Sequence, residues 1–189
     1  MKTKGFTLIE TMVAITILTL AISGSFISAN SSMTAAQISR DKLTASYLAQ
    51  EGIEYVRMMR DDEYLSAYHD GGINVSTTAW NNFISGSDAA SITQCIPTTC
   101  TLDPTRSMGS GSGFSLFPCS GSACTPLYLA NGIYTQQSGI IGATRTQFTR
   151  TIQVTDVSAN EKSVISTVLW DFHGTPYSII ITDHLTPWQ

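Results

Sequence analysis

The sequence predicts an α+β chain: a very long amino-terminal helix packed on a carboxy-terminal antiparallel β-sheet, with a loop-rich, cysteine-bearing middle. Three observations carry this. Residues 6–27 are mostly apolar and carry no formal charge but that of Glu10, and as a helix that run is about 33 Å long, close to the thickness of a bilayer hydrocarbon core. Residues 146–155, 163–172 and 177–185 are rich in Val, Ile, Thr and aromatics and alternate with short polar separators, the composition of paired strands. Between these two regions lie Gly, Ser and Asp clusters and two C-x4-C pairs, which read as turns and stapled loops.

The first element follows Met1-Lys2-Thr3-Lys4-Gly5. Lys2 and Lys4 are expected to hold the amino end in the cytoplasm and send the rest outward, an N-in, C-out single pass. An ordinary secretory signal, cut near Ser28 and Ala29, competes with this reading, but it gives a carboxylate at Glu10 no purpose. A plain anchor helix explains the length and again leaves Glu10 without a role, since an ionisable group inside a membrane segment is costly unless partnered.

Lys4-Gly5-Phe6-Thr7-Leu8-Ile9-Glu10 resembles the class III signal of type IV pilins and pseudopilins, a short basic leader ending in Gly ahead of a long apolar helix. The resemblance implies a type IV pilin fold, cleavage between Gly5 and Phe6 by a membrane-embedded prepilin peptidase, methylation of the new Phe6 amine, and retention of the apolar helix for polymerisation. Cleavage beside a residue without a Cβ is sterically reasonable. The Phe6 amine and the Glu10 carboxylate then stand one turn apart, at i,i+4. They form an expected assembly charge pair, within one subunit or between neighbours, in surroundings where either charge alone is expensive. A second similarity, to PilV-like minor pilins, rests on Leu48-Ala49-Gln50-Glu51-Gly52-Ile53-Glu54, Arg57, Arg60-Asp61 and the closing Leu185-Thr186-Pro187-Trp188. Many major pilins carry a proline in the membrane half of the helix; this chain has none between Phe6 and Arg60.

Helical periodicity continues past the apolar run. Ala45, Leu48, Ala49, Gly52, Val56 and Met59 recur at spacings of three and four, with Gln50, Glu51, Glu54 and Arg57 opposite, so one face is expected to pack on the rest of the chain. The helix is expected to end near Arg60. The resulting organisation is a leader at 1–5, a membrane and polymerisation half at 6–27, an amphipathic half at 28–60, and a β-rich head at 61–189. Asp70-Gly71-Gly72, Ser85-Gly86-Ser87-Asp88 and Met108-Gly109-Ser110-Gly111-Ser112-Gly113 are turn signals flanking short expected strands at 72–75 and 113–117. The last three strands are expected to form a meander, with separators at 157–162 and 173–176.

The head's chemistry looks structural. Four cysteines allow three connectivities. The favoured reading is two local staples, Cys95 with Cys100 and Cys119 with Cys124; cross-linked loops and a four-sulfur zinc site are the alternatives, the zinc spacing being wider than the common ribbon pattern. The glycine run at 108–113 lacks the lysine of a phosphate-binding loop. His69, His173 and His184 show no metal-ligand spacing, and Asp61, Asp62, Glu63, Asp88 and Asp103 read as solvated acids. Neither catalytic residues nor a metal or other cofactor is expected.

With 189 residues the chain fits one globular domain plus an appended helix. Charged residues make up only 13%, against roughly 25% in average soluble proteins; this profile and paired cysteines suit an exported protein. The net charge of −4 without a basic patch argues against nucleic acid as a partner. The resemblance implies a non-enzymatic minor pilin of a type IV pilus, supporting filament assembly or surface adhesion. Its expected partners are other pilin subunits, prepilin peptidase, an inner-membrane assembly platform and, before assembly, the membrane. A type II secretion pseudopilin and a filament-displayed, ligand-binding adhesin are the alternatives.

Overall fold

A computed structural model describes Gly5 and residues 7–86, 91–105, 116–119 and 124–188. Helix α1, Leu8–His69, is 62 residues long. It is followed by α2, Val75–Ser85, a 3-10 turn at Thr93–Cys95 and eight strands: β1 Cys100–Leu102, β2 Leu116–Pro118, β3 Tyr128–Ala130, β4 Ile133–Thr135, β5 Thr144–Arg145, β6 Thr149–Ser158, β7 Glu161–Phe172 and β8 Thr175–Leu185. The chain divides into two compact units, residues 1–42 and 43–189.

In the first unit the helix is coated with apolar side chains and carries several hydroxyls. Those hydroxyls bond to the helix's own carbonyls: Thr11 donates to Leu8 O at 2.8 Å, Thr16 to Val13 O at 2.8 Å, Thr19 to Thr16 O at 2.9 Å and Ser23 to Thr19 O at 2.7 Å. A hydroxyl satisfied this way needs no water, which makes Ser and Thr compatible with an apolar surround.

In the second unit α1 buries Ala45, Leu48, Ala49, Gly52, Ile53, Tyr55, Val56 and Met59, the face marked by the three-and-four periodicity. Ile53, Val56 and Met59 pack with Trp80 and Phe83 of α2, Leu102 of β1 and Ile152, Val154 and Val164 of β6 and β7. Ala45, Leu48 and Ala49 pack with Leu127, Phe148, Val168 and Trp170. The fold is therefore a long helix on antiparallel sheets, an α+β, pilin-like arrangement. One sheet has the order β2-β1-β6-β7-β8 and a second β4-β3-β5.

Several elements differ from expectation. α1 runs to His69, past Arg60, because residues 61–69 contain no Gly or Pro and bury Glu63 and Ala67; it stops before Gly71, whose φ of +69° favours glycine. The expected strand at 72–75 is instead the approach to α2, with Asn74 in the left-handed region. The meander is present, with longer strands and tighter turns. Only Ala159-Asn160 separates β6 from β7, and Ser158 still pairs with Glu161. Only His173-Gly174, both at positive φ, separates β7 from β8, so Thr175 and Pro176 pair with Phe172 and Asp171. Pro176 is tolerated on an edge strand, where its missing N–H breaks no ladder.

Candidate functional site

The amino-terminal site is built by the first turn of α1. Thr7 sits at the cap position: its carbonyl accepts from the Glu10 N–H at 3.0 Å and the Thr11 N–H at 3.2 Å, and its hydroxyl oxygen also faces the Glu10 N–H at 3.4 Å. Threonine at the cap with glutamate three residues on is a start signal, and a carboxylate in the first turn is favoured by the helix dipole. Glu10 is exposed and makes no ion pair among the described residues. Gly5 is exposed, and a Cβ added there meets nothing within 4 Å. Phe6, assigned to cleavage, methylation and the charge pair, lies outside the described residues, as do Met1, Lys2, Thr3 and Lys4.

Around Glu10 the surface is apolar. Leu8, Ile9, Met12, Val13, Ile15, Ile17, Leu18, Leu20, Ile22, Phe26 and Ile27 are each 53–77% exposed. An 18-residue window within α1 reaches a mean hydropathy of 2.0 with none of it buried, so the helix is long and apolar enough to cross a membrane. Such a continuous exposed apolar surface marks an interaction face and fits membrane anchoring.

The cysteines form two disulfides, Cys95–Cys100 with Cα atoms 5.5 Å apart and Cys119–Cys124 at 4.7 Å. The first ties the 3-10 turn to β1, with both residues fully buried in the core. The Cys119 N–H donates to Thr99 O at 2.9 Å, setting the second staple beside the first. The glycine run at 108–113, Ser87 and Asp88 lie outside the described residues.

Ionic groups clamp the head together. Arg150 of β6 is fully buried. It donates to Leu48 O at 3.1 Å and to the Glu51 carboxylate on α1, and to Leu102 O of β1 at 2.9 Å. Burial lowers its pKa, opposed by Glu51. Arg57 donates to Asp183 of β8 at 2.8 Å and to Glu54 at 2.7 Å. This contact raises the Arg57 pKa and lowers that of Asp183. Arg60 holds Asp61 at 2.8 Å, donates to Thr186 O at 3.3 Å and lies 4.9 Å from the Trp188 ring centre. The motif residues Arg60 and Asp61, at the end of the amphipathic stretch, therefore meet the closing segment.

Two acids are not solvated as expected. Glu63 is buried on α1, and Asp103 is 1% exposed, accepting from the Thr105 hydroxyl at 2.7 Å and the Thr135 hydroxyl at 3.2 Å. Of the histidines, His184 faces Glu161 at 2.7 Å; no group of three His, Cys, Asp or Glu placed to hold a metal occurs among the described residues. Sequence reasoning missed Arg150 as a clamp, although it falls on the inward alternation of Phe148, Ile152 and Val154.

Residues 1–26 match the family model of the prokaryotic N-terminal methylation motif. No curated protein and no solved structure gives a significant match. The motif implies processing by prepilin peptidase and assembly with other pilin-type subunits. The chain thus carries the class III signal of a type IV pilin-like or pseudopilin precursor.

Proposed function

We propose that this chain is a minor pilin, a structural subunit and not an enzyme, cleaved after Gly5, methylated on Phe6 and built into a type IV filament through α1. The observation that carries the reading is an exposed apolar first stretch of α1 with a single carboxylate in its first turn, under a class III signal. Before assembly, lipid covers the helix in an N-in, C-out topology, with 6–27 as the membrane half and the remainder outside. On assembly, an inner-membrane platform transfers it to neighbouring helices. There, a buried Glu10 carboxylate requires a positive partner, and the methylated Phe6 amine of the same or an adjacent subunit supplies it. The stapled head suits surface display, which favours a pilus over a secretion pseudopilin.

Two measurements test this. Intact-mass analysis of the exported protein should find a methylated Phe6 terminus; loss of Lys2 and Lys4 takes the formal charge from −4 to −6. Glu10→Ala should leave membrane insertion, cleavage and disulfide formation near normal while recovery in sheared filaments collapses. A terminus near Asn30, or wild-type recovery of the variant, would sink the proposal.

A further inference from the structure

The head holds a groove of about 520 Å³ between α2, the β6–β7 turn and the segment after β8, a size within the ~300–1,000 Å³ of small-molecule sites. Thr77, Trp80 and Asn81 enter it from one side of α2, at spacings of three and four; Asn160 enters from the turn and Trp188 from the closing segment. The lining contains no ionisable side chain among the described residues. The nearest charges, Arg60 and Asp61 against Trp188, pair with each other at 2.8 Å, so an anion or cation would gain little net counter-charge there. A wholly apolar ligand would leave the exposed amides of Asn81 and Asn160 unpaired, and neither makes a side-chain hydrogen bond among the described residues. The ligand chemistry that fits combines a neutral polyhydroxyl edge with an apolar face.

We propose that this groove binds a neutral saccharide. Each carboxamide offers a donor and an acceptor, the pairing that adjacent sugar hydroxyls require. The Trp188 indole, 44% exposed, offers a π-surface whose negative quadrupole attracts the weakly positive C–H groups of a pyranose face. Contacts within the head hold the walls of the groove. The Trp188 Nε1–H donates to Asp61 at 3.2 Å, Tyr64 packs on the ring at 5.6 Å, Arg60 lies against it, and the Trp188 carbonyl accepts from the Ser76 hydroxyl. On the other wall, the Trp80 Nε1–H donates to Ala159 O at 3.1 Å, tying the turn that carries Asn160 to the helix that carries Asn81. Side chains and turns fixed in advance lose little entropy on binding. The site stands whether the filament is a pilus or a secretion piston.

The test uses the full mature chain in a zwitterionic detergent without a sugar headgroup. Saturation-transfer NMR is run with cellobiose, maltose, lactose and diacetylchitobiose at millimolar concentration, and with inorganic phosphate and sialyllactose as charged comparisons. Transfer to the C–H protons of at least one neutral sugar, with a matching change in tryptophan fluorescence, is expected. Asn81→Ala combined with Asn160→Ala should weaken that sugar about tenfold or more while the far-UV spectrum and melting temperature stay unchanged, since both side chains face solvent. Trp188→Ala should abolish transfer. Silence from all four neutral sugars, binding unchanged in the double variant, or selective binding of the charged probes would each overturn the proposal.

Discussion

At Gly52 α1 lies close against the sheet, and adding one methyl group there tests that packing. A Cβ built on Gly52 lies 2.6 Å from Ser166 Oγ, 2.9 Å from Ile152 Cδ1 and 3.3 Å from Arg150 Cδ. All three neighbours are fully buried, and Arg150 is held by its hydrogen bonds to Leu48 and Leu102. Overfilling a packed core costs about 1–3 kcal/mol, while exchanging Gly for Ala inside a helix returns about 1 kcal/mol. Two contacts under 3.0 Å set this site in the upper part of that range, about 2–3 kcal/mol, so Gly52→Ala is expected to destabilise the head by about 1–2 kcal/mol, the clash outweighing the propensity gain. For a unit of this size that lowers the melting temperature by about 2–8 °C, readable by near-UV circular dichroism of the mature chain in micelles. The nearest contact can be removed separately. Ser166 Oγ is buried without a hydrogen-bond partner among the described residues, so Ser166→Ala alone should be neutral or stabilising. In the Gly52→Ala background it should restore part of the loss, a coupling typical of residues in contact. Gly24 supplies the opposite case, since a Cβ there meets nothing within 4 Å. If Gly52→Ala raises the melting temperature, or if Ser166→Ala fails to rescue it, the close approach is not the constraint described.

Arg150→Ala strands the Glu51 carboxylate and the Leu48 and Leu102 carbonyls and should cost about 3–5 kcal/mol, seen as a lower denaturation midpoint or failure to accumulate; Glu51→Gln, which keeps an acceptor for Arg150 at a part-exposed position, should cost less. The lowered pKa of Asp183 means that its bond to Arg57 stabilises the head above the unfolded value near 3.8 and that this contribution disappears as pH falls through the folded value. Because the pair is partly solvated, about 0.5–1 kcal/mol is at stake, and Asp183→Asn should flatten the acid limb of a stability-pH profile below about pH 4. Replacing Cys95 and Cys100 by Ser removes a short-loop staple worth about 2 kcal/mol and places two hydroxyls in the core, so it should lower the melting temperature more than the same change at Cys119 and Cys124; non-reducing peptide maps of the wild type should show no free thiol.

Legibility in the sequence followed the length and regularity of each element. The apolar run and the Ala45 to Met59 face of α1 could be read because a helix repeats its burial every three to four residues over many turns. The meander could be read because β6, β7 and β8 are ten to twelve residues long and β-branched. The second sheet could not, since β3, β4 and β5 have only two or three residues each, too few for any alternation to emerge. Its one usable sign is Asn131-Gly132, both at positive φ, the dipeptide preferred in two-residue hairpin turns. α2 was hidden by its own composition. Val, Ser, Thr and Asn are poor helix formers, and the segment is helical because Ala79, Trp80 and Phe83 bury one side, a tertiary reward that outweighs local preference. The Trp188 contacts were out of reach for a different reason, since Asp61 and Trp188 are 127 positions apart and no local pattern encodes such a meeting.

The two stretches of α1 have opposite chemistry because they meet different surroundings. Before residue 43 nearly every large apolar side chain is exposed, and the hydroxyls bond back onto the helix, so the surface is finished only when lipid or neighbouring subunits cover it. From Ala45 onward most apolar side chains turn to one face, with Tyr47, Met58, Leu65 and Tyr68 left exposed, and the opposite face carries Gln50, Glu51 and Glu54 at least partly in solvent. Small residues decide how closely this second stretch approaches the sheet: Ala45, Ala49 and Gly52 are all buried on the packed face, and the space they leave admits the Arg150 side chain to the carbonyl of Leu48. A substitution on that face is therefore read in the stability of the head. One among Leu8, Met12, Val13 and Ile17 should leave head stability nearly unchanged and be felt in insertion or filament recovery, because within the folded chain those side chains have nothing to lose.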